Sequence, residues 1–206
     1  MTTKKIIYVD AFKIRMNLDL EFGCCHEKCI DYNYYAPKFY IPEDEIWIDY
    51  RFKSEQEMLV RLETEVVAGD TTCERRESRK KIFLTNGSIP NFKLSTASRD
   101  GLKYVKVDGS VVRKFIDPEF IQGGHGIVYD FVPKDEVWVD AINDVAELDF
   151  IYHHELLERR LMEKGDIYDN SHDAALAAER KERREAGACY PGDEKYVARQ
   201  ISDFYV

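Results

Sequence analysis

Phe131-Val132-Pro133-Lys134-Asp135-Glu136-Val137-Trp138-Val139-Asp140 has an earlier counterpart in the chain. It is Tyr40-Ile41-Pro42-Glu43-Asp44-Glu45-Ile46-Trp47-Ile48-Asp49. Both keep proline, an acidic turn, tryptophan and aspartate in one order. Upstream, Tyr8-Val9-Asp10-Ala11-Phe12-Lys13-Ile14-Arg15 matches Lys106-Val107-Asp108-Gly109-Ser110-Val111-Val112-Arg113. Leu18 to Phe22 matches Ile116 to Phe120 at the same offset. Chance would not preserve this order, so the sequence is read as an internal duplication. Two copies suit a pseudo-symmetric pair better than a solenoid. The expected fold is α+β: a β-hairpin/strand–helix unit used twice, the second copy followed by an extra helix. The expected divisions are 1–68 for the first repeat, 69–102 for a connector and 103–206 for the second repeat.

Local signals fill in each unit. Asp108-Gly109 between apolar alternations reads as a hairpin turn, because glycine tolerates positive φ. The two Pro-x-Asp-Glu pieces read as a further turn. Ile127–Val132 and Val137–Asp140 read as strands. Helices are expected over Ser54–Val67, with Ser54 as N-cap and Glu57 completing a capping box, and over Val145–Lys164. Gly165 is placed to stop the second. Another helix, capped by Asn170 or Ser171, should run to about Glu185, with alanines for close packing. In the tail, Pro191-Gly192 signals a turn, and Val197, Ile201 and Phe204 suggest a short docked helix. The connector holds a basic run, Arg75-Arg76 and Arg79-Lys80-Lys81, read as solvated or as phosphate-binding, with one strand over Ile82–Leu84.

Composition limits the function classes. The 206 residues are 44% hydrophobic and 33% charged, as in ordinary globular proteins. Net charge is −9, so a nucleic-acid role, which needs surplus Lys and Arg, is not expected. No apolar run reaches membrane-spanning length, and the piece after Lys4-Lys5 is too short for a signal peptide. A cytoplasmic protein with free thiols is the reading of five irregularly spaced cysteines. Cys24, Cys25, His26 and Cys29, with Cys73 further on, would make at most half of a zinc site.

Chemistry concentrates in Phe150–Glu179, which holds three of the five histidines. His154 and Glu158 share one helical face, within a stripe containing Ile151, Leu157 and Leu161. A buried ionisable pair needs a partner, and a metal ion is one. The first copy acts as an internal control. Depending on register, it places Leu62 or Glu63 opposite His154 and Val66 or Val67 opposite Glu158. The frame therefore does not itself require these two residues.

His154-Glu155-x-x-Glu158 resembles the His-Glu-x-x-His helix of zinc metallopeptidases, with Glu158 where that family has its second histidine. The resemblance implies a zinc-dependent hydrolase. His154 and Glu158 would be metal ligands one turn apart, and Glu155 the base that activates water. His172 would supply the third ligand, completing a two-His, one-Glu set. Glu179, on the same helical face as His172, could hydrogen-bond a ligand imidazole or serve as a fourth ligand. His125, in Gly123-Gly124-His125-Gly126, is a candidate for transition-state stabilisation or ligation. His153 points away from His154 and reads as a surface or packing residue.

The longer pattern of Gly-Gly-His, Pro-Lys-x-Glu-x-Trp-x-Asp, His-Glu-Leu-x-Glu-x-x-Leu-Met-x-x-Gly and a downstream His is similar to that of short uncharacterised phage and bacterial proteins. In this chain it covers residues 123–125, 133–140, 154–165 and 172 onward. A phage-encoded member would act in the host cytoplasm. The alternative function is a non-enzymatic binding or structural protein whose His/Glu cluster is structural. Its tyrosine-rich, acidic surface would meet a protein or peptide partner.

Overall fold

The computed structural model describes residues 4–23, 41–42, 44–197 and 199–206. Cys24, Cys25, His26 and Cys29 lie outside that range, so the half zinc site does too. The chain is α+β and forms two compact units, residues 1–67 with 184–206, and residues 68–183. This corrects the expected divisions: the connector belongs to the second unit and the C-terminal segment to the first. No helix among the described residues is long and apolar enough to cross a membrane.

In the first unit, β1 (Lys5–Val9) runs parallel to β2 (Glu45–Asp49). Between them lies α1 (Ala11–Asn17), capped by the Asp10 side chain. Ile7, Val9, Ile14, Leu18 and Trp47 form the core, and Phe204 from the C-terminal segment completes it. Phe204 sits in a 3-10 turn, Ile201–Phe204, and the Val206 N–H donates to the Tyr8 carbonyl. The expected docked helix is thus this short turn, and Val197 stays exposed. A 3-10 segment, Tyr50–Glu55, leads into α2 (Gln56–Thr64). Ser54 therefore lies inside the 3-10 segment rather than capping α2, and no side chain caps that helix.

The second unit has a four-stranded sheet ordered β3-β4-β6-β5. These strands are β3 (Lys93–Arg99), β4 (Leu102–Val107), β5 (Gly123–His125) and β6 (Glu136–Asp140). β4 and β6 are parallel; the other pairings are antiparallel. Every residue of β6 is buried. Trp138 faces a core with Val105, Val107, Val112 and Phe120. Val137 and Val139 face Leu148, Ile151, Tyr152 and Leu156 on the opposite side, as the period of two requires.

The two Asp-Gly dipeptides take different roles. The hairpin turn is Asp100-Gly101, joining β3 to β4, with φ of 55° and 83°, the positive angles that a two-residue turn needs. Asp108-Gly109 was expected to be the hairpin. Instead Asp108 caps α4 (Gly109–Phe115). Gly109 is needed for a different reason: a Cβ there would come within 1.9 Å of Asp140 Oδ2. Ile127–Val132 is likewise not a strand but a run of turns after β5. The Val128 and Tyr129 N–H groups bond back to the His125 carbonyl.

The connector is also more ordered than expected. Its basic run lies on α3 (Thr72–Phe83), which has a full capping box between Thr71 and Glu74. Residues 82 and 83 end this helix, so no strand forms there. Arg76 pairs with Asp117 at 2.7 Å and Arg79 with Glu119 at 2.6 Å. These two cations are matched inside their own unit.

The β–α–β frame recurs with the same hydrogen bonds. Arg15 donates to the Phe22 carbonyl at 2.8 Å, and Arg113 to the Phe120 carbonyl at 3.0 Å. Trp47 Nε1 donates to Glu45 at 2.8 Å, and Trp138 Nε1 to Glu136 at 2.5 Å. Glu45 and Glu136 each bond back to the proline three residues before them.

Candidate metal centre

The site stands on two helices and one strand of the second unit. α5 (Leu148–Glu163) carries His154, Glu155 and Glu158, and α6 (Tyr168–Glu185) carries His172 and Glu179. A 3-10 turn, Val145–Glu147, precedes α5. α5 ends in a Schellman motif: the Gly165 N–H donates to the Met162 carbonyl and the Asp166 N–H to that of Leu161. Gly165 takes φ of 96°, and the chain reverses into α6. α6 begins at Tyr168, earlier than the expected caps Asn170 and Ser171.

α5 packs on the β5–β6 side of the sheet. Gly123 permits this contact: a Cβ there would meet Ile151 Cγ2 at 2.8 Å and Glu155 Cγ at 3.3 Å. That approach brings His125, at the end of β5, under α5.

Three donor atoms converge between the helices. His172 Nδ1 lies 2.8 Å from Glu158 Oε2 and 3.2 Å from His154 Nε2. His154 Nε2 is 3.7 Å from Glu158 Oε2. Donors on a tetrahedral ion with bonds of about 2.0–2.1 Å stand roughly 3.3 Å apart. The triangle is therefore already near the size that such an ion demands, and its two-imidazole, one-carboxylate chemistry suits zinc. The faces of both imidazoles are also fixed. His154 and His172 meet edge to face at 4.9 Å, and Tyr168 stacks on His172 at 5.4 Å.

Behind the triangle the bonds continue. Glu179 Oε2 bonds His154 Nδ1 at 2.9 Å. This leaves Nε2 aimed at the triangle, the arrangement by which a carboxylate orients a metal-ligating imidazole. Glu179 Oε1 accepts from Arg183 Nε at 2.8 Å, and Arg183 Nη2 makes an ion-pair contact with the same oxygen at 2.7 Å. Arg183 Nη1 reaches Glu147 at 3.0 Å, with both side chains wholly buried. On the other side, His125 Nε2 bonds Glu158 Oε1 at 2.9 Å.

Electrostatics follow from this crowding. Burial works against a charge on His154, but the Glu158 and Glu179 carboxylates outweigh it and push it up to about 10. Burial also opposes charge on Glu158, yet the three imidazoles around it hold its carboxyl well below the usual range. Glu179 is lowered too, with His154 and Arg183 overcoming its burial. Glu155 behaves oppositely: burial, then the neighbouring Glu158 charge, push it up to about 8. Two carboxylates on one helix thus have separated acidities, a pattern suited to one ligand and one proton carrier.

Of the residues read from the sequence, His154, Glu158 and His172 meet in one place. Glu179 lies behind His154 and is not one of the converging donors. His125 meets Glu158 from below. Glu155 offers an oxygen that, with donor atoms of His125 and Glu158, makes a second group within 4.8 Å. His153 is apart from all of them, bonded to Glu182 at 2.6 Å and facing Arg99 at 2.7 Å. Sequence reasoning missed Glu147, Arg183 and Tyr168. Arg183 sits four residues after Glu179, a spacing that would have flagged the pair; Glu147 and Tyr168 carry no such local signal.

No known protein family, curated protein or solved structure matches this chain.

Proposed function

We propose that the second unit is a metal-dependent hydrolase, with zinc held by His154 Nε2, His172 Nδ1 and Glu158 Oε2. The observation that carries this reading is the donor triangle of 2.8, 3.2 and 3.7 Å. A zinc ion there would supply Lewis-acid polarisation of a substrate carbonyl and of water. Glu155 is the base: its carboxyl, raised to about 8, is matched to taking a proton from water near neutral pH and returning it to a leaving group. Glu179, held by Arg183 and Glu147, keeps the His154 ring turned toward the triangle. The resemblance to the zinc metallopeptidase helix favours a peptide or a related carbonyl compound as substrate.

A second reading has its own support. In the metal-free chain each of the three imidazoles already has a hydrogen-bond partner within the cluster, so the cluster could serve structure alone in a binding protein. Metal content separates the two. Purified full-length chain, dialysed against zinc and then against metal-free buffer, is expected to retain about one ion. A His154→Ala/His172→Ala double variant should fold by circular dichroism and retain none. Glu155→Gln should keep the ion and lose hydrolysis of a peptide-library digest by roughly 10²–10⁴-fold. Folded wild type with no zinc uptake would leave the structural reading standing.

A further inference from the structure

Glu158 faces two groups of donors. Its Oε2 meets His154 and His172, and its Oε1 meets His125 Nε2 at 2.9 Å. His125, Glu155 and Glu158 have the spacing to hold an ion themselves. The other ring nitrogen of His125 decides between the two groups. The Ile127 backbone N–H donates to His125 Nδ1 at 3.3 Å. An amide N–H can only donate, so Nδ1 presents its lone pair. The proton of the neutral ring then sits on Nε2, facing Glu158.

The glycines around His125 hold this arrangement in place. A Cβ at 124 would meet the Tyr129 ring at 2.4 Å, and one at 126 would meet the Val132 carbonyl oxygen at 2.5 Å. The turn after β5 can therefore fold tightly back, with the Val128 and Tyr129 N–H groups on the His125 carbonyl at 3.1 and 3.0 Å. That fold delivers the Ile127 amide to Nδ1. The ring itself is 0% exposed, so it is enclosed on all sides.

From this geometry we infer that His125 is a positioning residue and not a metal ligand. Its Nε2–H occupies Glu158 Oε1 and so presents Oε2 alone to the triangle. With an N–H facing Nδ1, that nitrogen cannot take up the ring proton, so Nε2 has no lone pair for an ion in the second group. His154 differs, because its Nδ1 faces the Glu179 carboxylate and can carry the proton while Nε2 binds. Glu155 then keeps a carboxyl free of metal, as a proton carrier requires. The inference rests on the proposed metal site and refines it: one ion, on the α5–α6 side.

Two measurements on the full chain test it. Long-range ¹H–¹⁵N spectra of histidine-labelled protein should show His125 as the Nε2–H tautomer without metal. On zinc addition its ring signals should hold while those of His154 and His172 move. Titration with zinc should end at one ion per chain. His125→Gln, which keeps an N–H donor, should bind zinc within about threefold of wild type. His125→Phe should weaken binding by about 10–100-fold, the usual effect of losing such a partner. An Nδ1–H tautomer, or a second ion that His125→Gln abolishes, would overturn the inference while leaving the metal reading intact. No zinc uptake by wild type would instead remove the metal reading, and with it the role given to His125.

Discussion

The two units share a frame and differ in what they hang on it. In both, an aspartate caps the short helix, an arginine from that helix bonds a carbonyl seven residues on, and a tryptophan indole bonds the glutamate two residues before it. With Glu45 set against Glu136, His154 falls opposite Glu63 and Glu158 opposite Val67. α2 ends at Thr64, before it reaches that second position, and none of its residues is buried. α5 continues to Glu163 and buries Ile151, Tyr152, Leu156 and Glu158. A strand–helix–strand frame is thus satisfied without the histidines. What the second unit adds is a longer helix pressed on the sheet and another helix folded back beside it. The added polar groups are matched to each other rather than to the frame.

The largest expected difference between the units lies in their buried arginines. Arg113 pairs with Asp140 at 2.6 Å, both nearly inaccessible. Arg113→Ala should destabilise the chain by about 3–5 kcal/mol, because it leaves a buried carboxylate without its cation. Asp49, the counterpart of Asp140, has Arg51 at 3.0 Å, so Arg15→Ala should cost clearly less in urea unfolding. Equal losses would break the comparison.

Next comes the support behind His154. Under the proposed metal site, Glu179→Gln should weaken zinc binding about 10–100-fold without unfolding the protein. Glu63→Ala, at the matching place in the first unit, should change neither zinc affinity nor stability measurably.

A smaller effect separates Gly109 from Ala11, which occupy one position in the two frames. Gly109→Ala would push a Cβ onto the Asp140 carboxylate and should cost about 1–3 kcal/mol. Ala11→Gly, at a helix start, should cost about 1 kcal/mol or less. A silent Gly109→Ala would mean that the Asp140 carboxylate can shift at no cost.

Titration gives the finest test. Zinc bound as proposed would need a neutral His154 Nε2, whereas the metal-free ring keeps its proton up to about pH 10. Zinc uptake near pH 7 should therefore release at least one proton per ion, measured by calorimetry in buffers of different ionisation enthalpy. The same shift acts on the stability of the metal-free chain. His154 is raised from 6.5 to about 10, so its contribution is full below pH 6.5 and is lost as pH climbs through 10. Glu155, raised from 4.5 to about 8, costs stability that grows across that interval, because the unfolded chain releases the proton while the folded one keeps it. Glu158 and Glu179 are lowered from 4.5, so their contributions are full above that pH and fade on acidification. Metal-free stability in the second unit should peak between about pH 4.5 and 6.5; a maximum near pH 8 would contradict these assignments.

Much of the fold was legible where the signal is local. The helix from Val145 to Lys164, its stop at Gly165, and the shared face of His154 and Glu158 depend on i,i+4 spacing and one glycine, all readable in a short window. The buried strand at Val137–Asp140 and the turn before it were readable for the same reason. Asp108-Gly109 misled because the dipeptide serves both a hairpin and a helix cap. The choice was made by Asp140, 31 residues after Gly109, whose carboxylate fills the space of a Cβ at 109. The connector misled because its basic run has almost no apolar face, and its helix is held by ion pairs to Asp117 and Glu119.

By itself, then, the sequence determined an α+β chain, and a helix bearing His154, Glu155 and Glu158 in fixed relative positions; its hairpin-based unit became strand–helix–strand only in the structure. Only the tertiary structure decided that His172 arrives from the next helix and that His125 comes up beneath Glu158 from a strand. It also placed Arg183 and Glu147 behind Glu179, and joined residues 184–206 to the first unit. The physical reason is range. Caps and helical faces are set by neighbours within a turn or two. The partner of a buried charge is set by whichever distant segment packs against it, and no local pattern records that choice.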